Sequence, residues 1–104
     1  MRSKFANQVI GVIKSVPAGR VVSYGQVAAY ADKLGAARAV GWLLRQTELP
    51  DLPWWRVINN AGRISIKNMF HQPEEQRRLL REEGVEGGED FSLDIEKYRW
   101  FHLI

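Results

Sequence analysis

One segment of the chain constrains the fold most, because it predicts two helices separated by a four-residue turn. Residues 23–26 read Ser-Tyr-Gly-Gln, the S-x-x-Q form of a capping box, so Ser23 is expected to cap a helix over residues 24–31. A glycine-containing turn at residues 32–35 precedes a second helix at residues 36–45. Two helices joined by such a turn, with the second one basic, are typical of a helix-turn-helix.

The second of these helices has an unusual side-chain pattern for reading bases. Only Arg38 projects from its N-terminal half, and the residues around it are small: Ala36, Ala37, Ala39 and Gly41. A helix that reads base edges in the major groove normally presents several Asn, Gln, Arg or Ser side chains. A helix that lies close against a groove of DNA and inserts one long side chain would have this pattern instead. The alternative is a solvated arginine on an alanine-rich helix.

Tyr24 occupies the first position of the capped helix. The positive end of the helix dipole and the free backbone N–H groups there attract a phosphate, and a phenol hydroxyl can add a hydrogen bond. The alternative is a tyrosine that only packs its ring.

Two further helices are predicted on either side of this segment. Apolar residues recur at helical spacing over residues 4–15. Pro73, followed by two glutamates, suits the start of a helix over residues 73–82 that buries Leu79 and Leu80.

Short extended segments predict a small β wing. Residues 54–58 are strand-like, residues 59–62 form a turn, and residues 63–66 return as a second strand. The aromatic tail at residues 91–104 is expected to pack back onto the body. The predicted fold class is mainly α with a small β wing, a winged helix-turn-helix, and residues 1–104 are expected to form a single domain.

The adjacent pair Trp54 and Trp55 follows a proline-bounded loop. In an extended segment, successive side chains point to opposite faces. Both indoles could pack in a small core, as aromatic side chains usually do. The other interpretation is that one of them lines a pocket for a flat ligand.

The chain contains no cysteine, which excludes disulfides, thiolate metal sites and a thiol nucleophile. Its two histidines, His71 and His102, lie far apart in the sequence, and no metal-ligand cluster or phosphate-cradling glycine loop is found. We therefore expect no metal, no cofactor, no catalytic residues and no enzymatic activity.

The net charge of +3 is unevenly distributed along the chain. Residues 1–70 contain ten Lys and Arg against three acidic residues, a balance of +7, whereas residues 71–104 have a balance of −4. This asymmetry indicates either that the first two thirds face a polyanion or that a basic surface serves solubility. No apolar run reaches the roughly 18 residues of a membrane span, and no signal peptide is found, so a cytoplasmic location is expected.

Three motifs in this order resemble the DNA-binding domain of the O6-alkylguanine-DNA alkyltransferases. They are Ser-Tyr-Gly-Gln at residues 23–26, Ala-Ala-Arg-Ala-Val-Gly at residues 36–41 and Pro-Trp-Trp-Arg-Val-Ile at residues 53–58. The resemblance covers roughly residues 5–84 and implies a fold like the C-terminal domain of those enzymes. Their last motif reads Pro-Cys-His-Arg-Val, and its Cys accepts the alkyl group. With Trp in place of that Cys, the chain resembles the alkyltransferase-like proteins, the non-enzymatic relatives of these enzymes.

The resemblance implies that the machinery of alkyl transfer is missing. Trp54 stands at the position of the acceptor Cys and Trp55 at that of the following His. A thiolate attacks an alkyl carbon because sulfur is nucleophilic, whereas an indole does not do so at neutral pH. Glu83 matches a glutamate that supports the thiolate, and without the His it is expected to be an ordinary surface carboxylate. Trp55 is expected to be buried.

The resemblance also implies a DNA-binding surface on the helix-turn-helix. Arg38 matches the family's arginine finger, which enters the base stack from the minor groove and fills the gap left by a flipped nucleotide. Tyr24 matches the tyrosine that pushes on the 3′ phosphate and helps to rotate the target out. The implied DNA-binding residues are Tyr24, Ala36, Ala37, Arg38 and Gly41.

A pocket for the flipped base is implied as well. Its residues are Pro53, Trp54, Val57 and Lys67. Trp54 would form one wall and contribute about 1–3 kcal/mol, if it acts like other base–aromatic contacts. Lys67 would be a cation–π partner of the base. The loop at residues 46–50 is one residue shorter than in the family.

The function implied is that of a damage sensor. The chain would bind double-stranded DNA containing O6-alkylguanine, flip the lesion without alkyl transfer, and mark it for nucleotide excision repair proteins, acting as a monomer away from membranes. The alternative is a helix-turn-helix regulator that reads sequence in undamaged DNA, against which the poor base-reading chemistry of residues 36–45 argues. A protein-interaction module without DNA binding would leave the basic balance of residues 1–70 unexplained.

Overall fold

The structure is a computed structural model that describes residues 3–46, 51–64 and 71–101. Its elements, in chain order, are α1 (Lys4–Ser15), β1 (Val22–Ser23), α2 (Tyr24–Tyr30), α3 (Ala37–Gln46), a 3-10 turn (Trp54–Arg56), β2 (Val57–Ile58), α4 (Pro73–Glu82) and α5 (Ile95–Tyr98). The predicted fold class, mainly helical with a small sheet, is confirmed. Within the described residues no helix is long and apolar enough to span a membrane.

The first three helices enclose the larger of two hydrophobic clusters. Val9 and Ile13 of α1, Val27 of α2, and Val40 and Leu44 of α3 are all buried there, at 3% exposure or less. Burial of one such side chain contributes roughly 1.5–3 kcal/mol, so this cluster fixes α3 against the body. The predicted helices are confirmed, with α1 and α4 at the predicted bounds and α3 beginning one residue later.

The predicted capping box is present at the start of α2. The Ser23 hydroxyl accepts a hydrogen bond from the Gln26 N–H at 3.1 Å, and the Gln26 side chain accepts one from the Ser23 N–H at 3.0 Å. The Gln26 amide also donates to the Trp100 carbonyl at 2.9 Å. The cap therefore ties the start of α2 to the C-terminal tail.

Replacement of Ser23 by alanine should lower the free energy of unfolding by about 1 kcal/mol, because a buried cap acceptor is lost. Urea denaturation followed by circular dichroism measures this change. Ser15→Ala is the control, since its exposed hydroxyl bonds only to the Gly11 carbonyl within α1 and should change stability by less than about 0.5 kcal/mol. Equal stability of the wild type and Ser23→Ala would contradict the capping role.

The predicted hairpin is wrong in the described residues. The sequence predicts a strand over residues 54–58, but a 3-10 turn occupies Trp54–Arg56 and leaves β2 with two residues. β2 pairs in parallel with β1, in a register that sets Val57 opposite Val22. Both residues of β2 are buried. Strands covered on both faces are continuously apolar, whereas a hairpin with one solvated face alternates, which is why the apolar pair belongs inside.

The turn predicted over residues 59–62 is confirmed. The Asn59 N–H donates to the Arg63 carbonyl at 3.0 Å and closes it. Beyond the turn, Arg63 pairs in antiparallel fashion with Ser92 of the tail rather than with β2. Residues 65–66, the end of the predicted second strand, lie outside the described residues.

The C-terminal tail packs back onto the body, as predicted for the residues up to 101. The Val21 N–H donates to the Tyr98 carbonyl at 2.9 Å, and the Trp100 N–H donates to the Val21 carbonyl at 2.8 Å. Tyr98 is 9% exposed and belongs to the second hydrophobic cluster, with Val21 and Leu80. Phe101, by contrast, is 60% exposed and remains outside this packing.

Candidate nucleic-acid interface

A groove with a volume of about 450 Å³ runs between the start of α2, one face of α3 and the turn after β2. We call it the α3 groove; it is lined by Tyr24, Ala37, Arg38, Gly41, Trp42, Arg45, Asn59 and Asn60. Four of the five DNA-binding residues implied by the sequence meet there. The fifth, Ala36, lies just before α3 and packs against the core.

The spacing of residues along α3 explains why this set shares one face. Positions 38, 41, 42 and 45 follow the i, i+3, i+4, i+7 pattern that places side chains on one side of a helix. Val40 and Leu44 lie on the opposite side and are buried. The sequence pattern thus separates a core face of α3 from a groove face.

Tyr24 contacts both the core and the α3 groove. Its ring is half-buried and packs against the core, and the side chain also lines the α3 groove. Gly41 lies beside this ring, since a Cβ built on Gly41 would be 4.0 Å from Tyr24 Cε1. The small residue therefore leaves the groove open next to the tyrosine.

The turn after β2 contributes two asparagines that the sequence analysis missed. The Asn60 carboxamide oxygen accepts a hydrogen bond from the Gly25 N–H at 3.0 Å, which ties the turn to the first turn of α2. A Cβ on Gly25 would lie 3.0 Å from that same oxygen, closer than most real contacts. Asn59 accepts hydrogen bonds from the N–H groups of Ala61 and Arg63. The parallel pairing of β1 with β2 places this turn beside the start of α2.

The α3 groove is electropositive. Arg38 and Arg45 are its two charged residues, and no carboxylate is among the lining residues in the described part of the chain. A concave surface with one sign of charge concentrates counter-ions of the opposite sign. Its positive charge suits the phosphates of a nucleic acid, and its aromatic and amide side chains suit the base edges.

The residues implied for the lesion pocket lie elsewhere. Trp54 is 6% exposed and stacks on the His71 imidazole, with ring centroids 3.6 Å apart and planes 19° apart. Pro53 is buried, and Val57 is 1% exposed within β2. Lys67 lies outside the described residues. None of the three described residues lines the α3 groove.

Glu83 is not an ordinary surface carboxylate, so that expectation is wrong. Its side chain is 14% exposed and pairs with Arg56. Glu83 also accepts hydrogen bonds from the Trp55 indole N–H at 2.9 Å and from the Gly19 N–H at 3.1 Å. Arg56 in turn donates to the Val16 carbonyl at 2.8 Å. The carboxylate thereby links the end of α4 to the Trp–Trp segment (Trp54 and Trp55) and to the end of α1.

Trp55 is not fully buried, so that expectation is wrong, and its contact with Glu83 helps to shift the pKa of the carboxyl group. Trp55 is half-buried, with its indole N–H directed at the carboxylate and the Arg56 guanidinium 5.3 Å from its ring centroid. Partial burial raises the pKa of Glu83, but hydrogen bonds from Arg56, Trp55 and Gly19 together lower it more. The net pKa therefore lies below the ordinary value of 4.5.

Gln76 is a second supporting residue that the sequence analysis missed. It is fully buried in α4, and its amide donates to the carbonyls of Trp55 at 3.0 Å and Val57 at 2.8 Å. These bonds hold the 3-10 turn and β2 against α4. Its spacing of four residues from Leu80 was the available signal, because i and i+4 share a helix face.

The sequence and the fold have known counterparts. Residues 4–85 match the family model described as the DNA-binding domain of 6-O-methylguanine DNA methyltransferase. A DNA base-flipping protein of Vibrio parahaemolyticus serotype O3:K6 (strain AQ3810) is 39% identical, over 93% of this chain and 96% of its own. Alkyltransferase-like protein 1 of Schizosaccharomyces pombe is 32% identical, over 93% of this chain and 94% of its own.

Solved structures match over nearly the whole chain. The crystal structure of S. pombe Atl1 in complex with damaged DNA containing O6-carboxymethylguanine has a TM-score of 0.86 to this protein. Its sequence is 31% identical, and the match covers 98% of this chain and 100% of that chain.

Proposed function

The chain belongs to the family defined by the DNA-binding domain of 6-O-methylguanine DNA methyltransferase, and on that premise we propose that it binds O6-alkylguanine in double-stranded DNA without removing the alkyl group. One observation carries the proposal: Tyr24, Ala37, Arg38 and Gly41 share an electropositive groove in a chain that has no cysteine. The names of the base-flipping and alkyltransferase-like relatives, and the damaged DNA bound to one of them, support it.

Alkyl transfer to the protein needs a thiolate acceptor, and this sequence contains none. Trp54 stands at the acceptor position, where its indole stacks on His71. Glu83, which would support a thiolate, holds Arg56 and Trp55 in place instead. We therefore assign these contacts of Trp54, Trp55 and Glu83 to structure and binding rather than to chemistry.

In the proposed binding mode α3 lies against the minor groove of the duplex. Arg38 enters the base stack, and Tyr24 presses on the phosphate backbone and rotates the target nucleotide out. Flipping costs a few kcal/mol and costs least for a base that pairs poorly. O6-alkylguanine has lost its N1 proton and pairs weakly, so part of the selectivity precedes any pocket contact.

The flipped base would then be received by Pro53, Trp54, Val57 and Lys67. His71 already covers one face of the Trp54 indole, so the base would use the other face or displace the imidazole. We further propose that residues 1–104 act as one DNA-binding domain and as a monomer, and that the flipped lesion is a mark for nucleotide excision repair proteins.

Titration of the protein with two duplexes that differ only in guanine or O6-methylguanine at one position tests the proposal. Intrinsic tryptophan fluorescence reports binding, at two salt concentrations because phosphate contacts are salt-dependent. We expect tighter binding of the methylated duplex, and a mass spectrum of the recovered DNA with the methyl group still on the base.

Two results would contradict the proposal. Equal affinity for both duplexes, together with a preference among unmodified sequences, would favour a sequence-specific regulator. Loss of the methyl group from the DNA would show a reaction that does not use a thiol.

A further inference from the structure

Trp42 is the feature of the α3 groove that the proposed binding mode does not use. Its side chain is 63% exposed, although the other large apolar residues of α3 face the core. The small-residue pattern at the start of α3 leads one to expect only Arg38 to project, and Trp42 projects as well. An exposed tryptophan inside a basic groove is more often part of a contact surface than an exposed tryptophan that stands alone on the protein surface.

The position of Trp42 relative to the two arginines restricts what it can touch. It lies four residues after Arg38 and three before Arg45, on the same face of α3. One helical turn rises about 5.4 Å, whereas successive base pairs are about 3.4 Å apart. With α3 lying along a duplex that both guanidinium groups hold, the indole faces the duplex between one and two base steps from the step that Arg38 enters.

Size makes this contact more than incidental. Ala37 and Gly41 are small enough for the backbone of α3 to lie close to DNA. The indole of Trp42, one helical turn after Arg38, occupies the space between the helix and the DNA. A close approach at Arg38 therefore brings the exposed Trp42 indole against the duplex. Apolar side chains do enter between base steps from the minor groove, partly unstacking them and kinking the duplex.

We propose that Trp42 is a second wedge, which packs its indole against a base step next to the one opened by Arg38. This inference rests on the proposed function, because it takes the α3 groove as the DNA-binding surface. The occupant is the duplex rather than a protein, since the flanking charges are both positive and no carboxylate lines the groove in the described residues. Trp42 acts on both damaged and undamaged DNA, because its step is not the lesion.

Binding of the two duplexes by Trp42→Ala is the first test. We expect a loss of affinity of about 5- to 150-fold for both, the range that stacking on one base supplies, with the lesion preference unchanged. Trp42→Phe, which keeps a flat ring, should recover most of the affinity. The slope of log K against log salt concentration should stay as in the wild type, because an indole carries no charge.

Phe101→Ala is the matched control, since Phe101 is 60% exposed but lines a different surface depression, with Arg20 and Lys97. It should bind both duplexes as the wild type does. An unchanged affinity of Trp42→Ala, or an equal loss in Phe101→Ala, would overturn the inference. So would a reduced salt slope in Trp42→Ala. Circular dichroism of each variant verifies that the fold is retained.

Acrylamide quenching of tryptophan fluorescence provides an independent measurement. In the wild type, DNA should protect the exposed indole, and in Trp42→Phe that protection should disappear while binding persists. On the unmodified duplex, which presents no lesion to the Trp54 pocket, protection of the same extent in Trp42→Phe as in the wild type would assign it to another tryptophan and contradict the wedge. Equal affinity of the wild type for both duplexes would contradict the proposed lesion recognition. The affinities of the wild type and of Trp42→Ala for the unmodified duplex would still decide the role of Trp42.

Discussion

Glu83→Gln should lower the free energy of unfolding at pH 7 by about 2 kcal/mol, because an ionised acceptor of several hydrogen bonds becomes a neutral one. Arg56 would lose its ion-pair partner, and the Trp55 indole N–H would lose a charged acceptor. The side chains of Glu83 and Arg56 are only 14% and 15% exposed, so water replaces these contacts poorly. Urea denaturation at fixed pH measures the difference.

The effect should depend on pH in a defined direction. The pKa of Glu83 is below its ordinary value of 4.5 in the folded protein, so folding favours the ionised carboxylate. Its stabilisation is complete above about pH 4.5 and is lost as the pH falls through the lower, folded-state pKa. The stability gap between the wild type and Glu83→Gln should therefore narrow as the pH falls below the ordinary value of 4.5.

Glu82→Gln provides the control for both measurements. Glu82 is the neighbouring residue, is 61% exposed and, among the described residues, forms an ion pair with the equally exposed Arg78. Surface pairs of this kind contribute about 0.3–0.5 kcal/mol, so its variant should differ little in stability from the wild type. An equal and pH-independent loss in both variants would show that the Glu83 contacts do not stabilise the fold.

The helices could be predicted from the sequence because their determinants are local. The capping box of α2 and the start of α4 at Pro73 can each be recognised from no more than four consecutive residues. The groove residues were accessible for the same reason, since the spacing along α3 sets which side chains share a face. The hairpin prediction is wrong because the two-residue strand β2 is too short to show a period and takes its partner, β1, from a distant part of the chain.

The supporting contacts of the site could not be predicted because they join distant residues. Glu83 meets Trp55 and Arg56 across 28 and 27 positions, and nothing in the sequence near Glu83 marks it as different from Glu82. A carboxylate three residues from the nearest leucine, Leu80, is compatible with either a solvated or a buried face. Only the packing of α4 on the Trp–Trp segment distinguishes the two.

Arg38→Ala should abolish most of the preference for O6-methylguanine and weaken binding of the methylated duplex by roughly 30- to 140-fold, about 2–3 kcal/mol. The reason is that Arg38 is proposed to fill the space vacated by the flipped base, whose unstacking costs a few kcal/mol. Without it the protein should hold both duplexes in the unflipped state with similar affinity. Fluorescence titration gives the affinities, and 2-aminopurine placed beside the lesion reports the flipping.

Arg45→Ala separates this role from simple charge. It removes the same charge from the same groove, at the far end of α3, so it should weaken both duplexes by one common factor. Its salt slope should fall by about 1, as expected for one lost phosphate contact, and 2-aminopurine should still respond. If Arg38→Ala and Arg45→Ala behaved alike, keeping the lesion preference and the 2-aminopurine signal, Arg38 would be a phosphate contact only. Flipping would then have to depend on Tyr24 and on the weak pairing of the lesion itself.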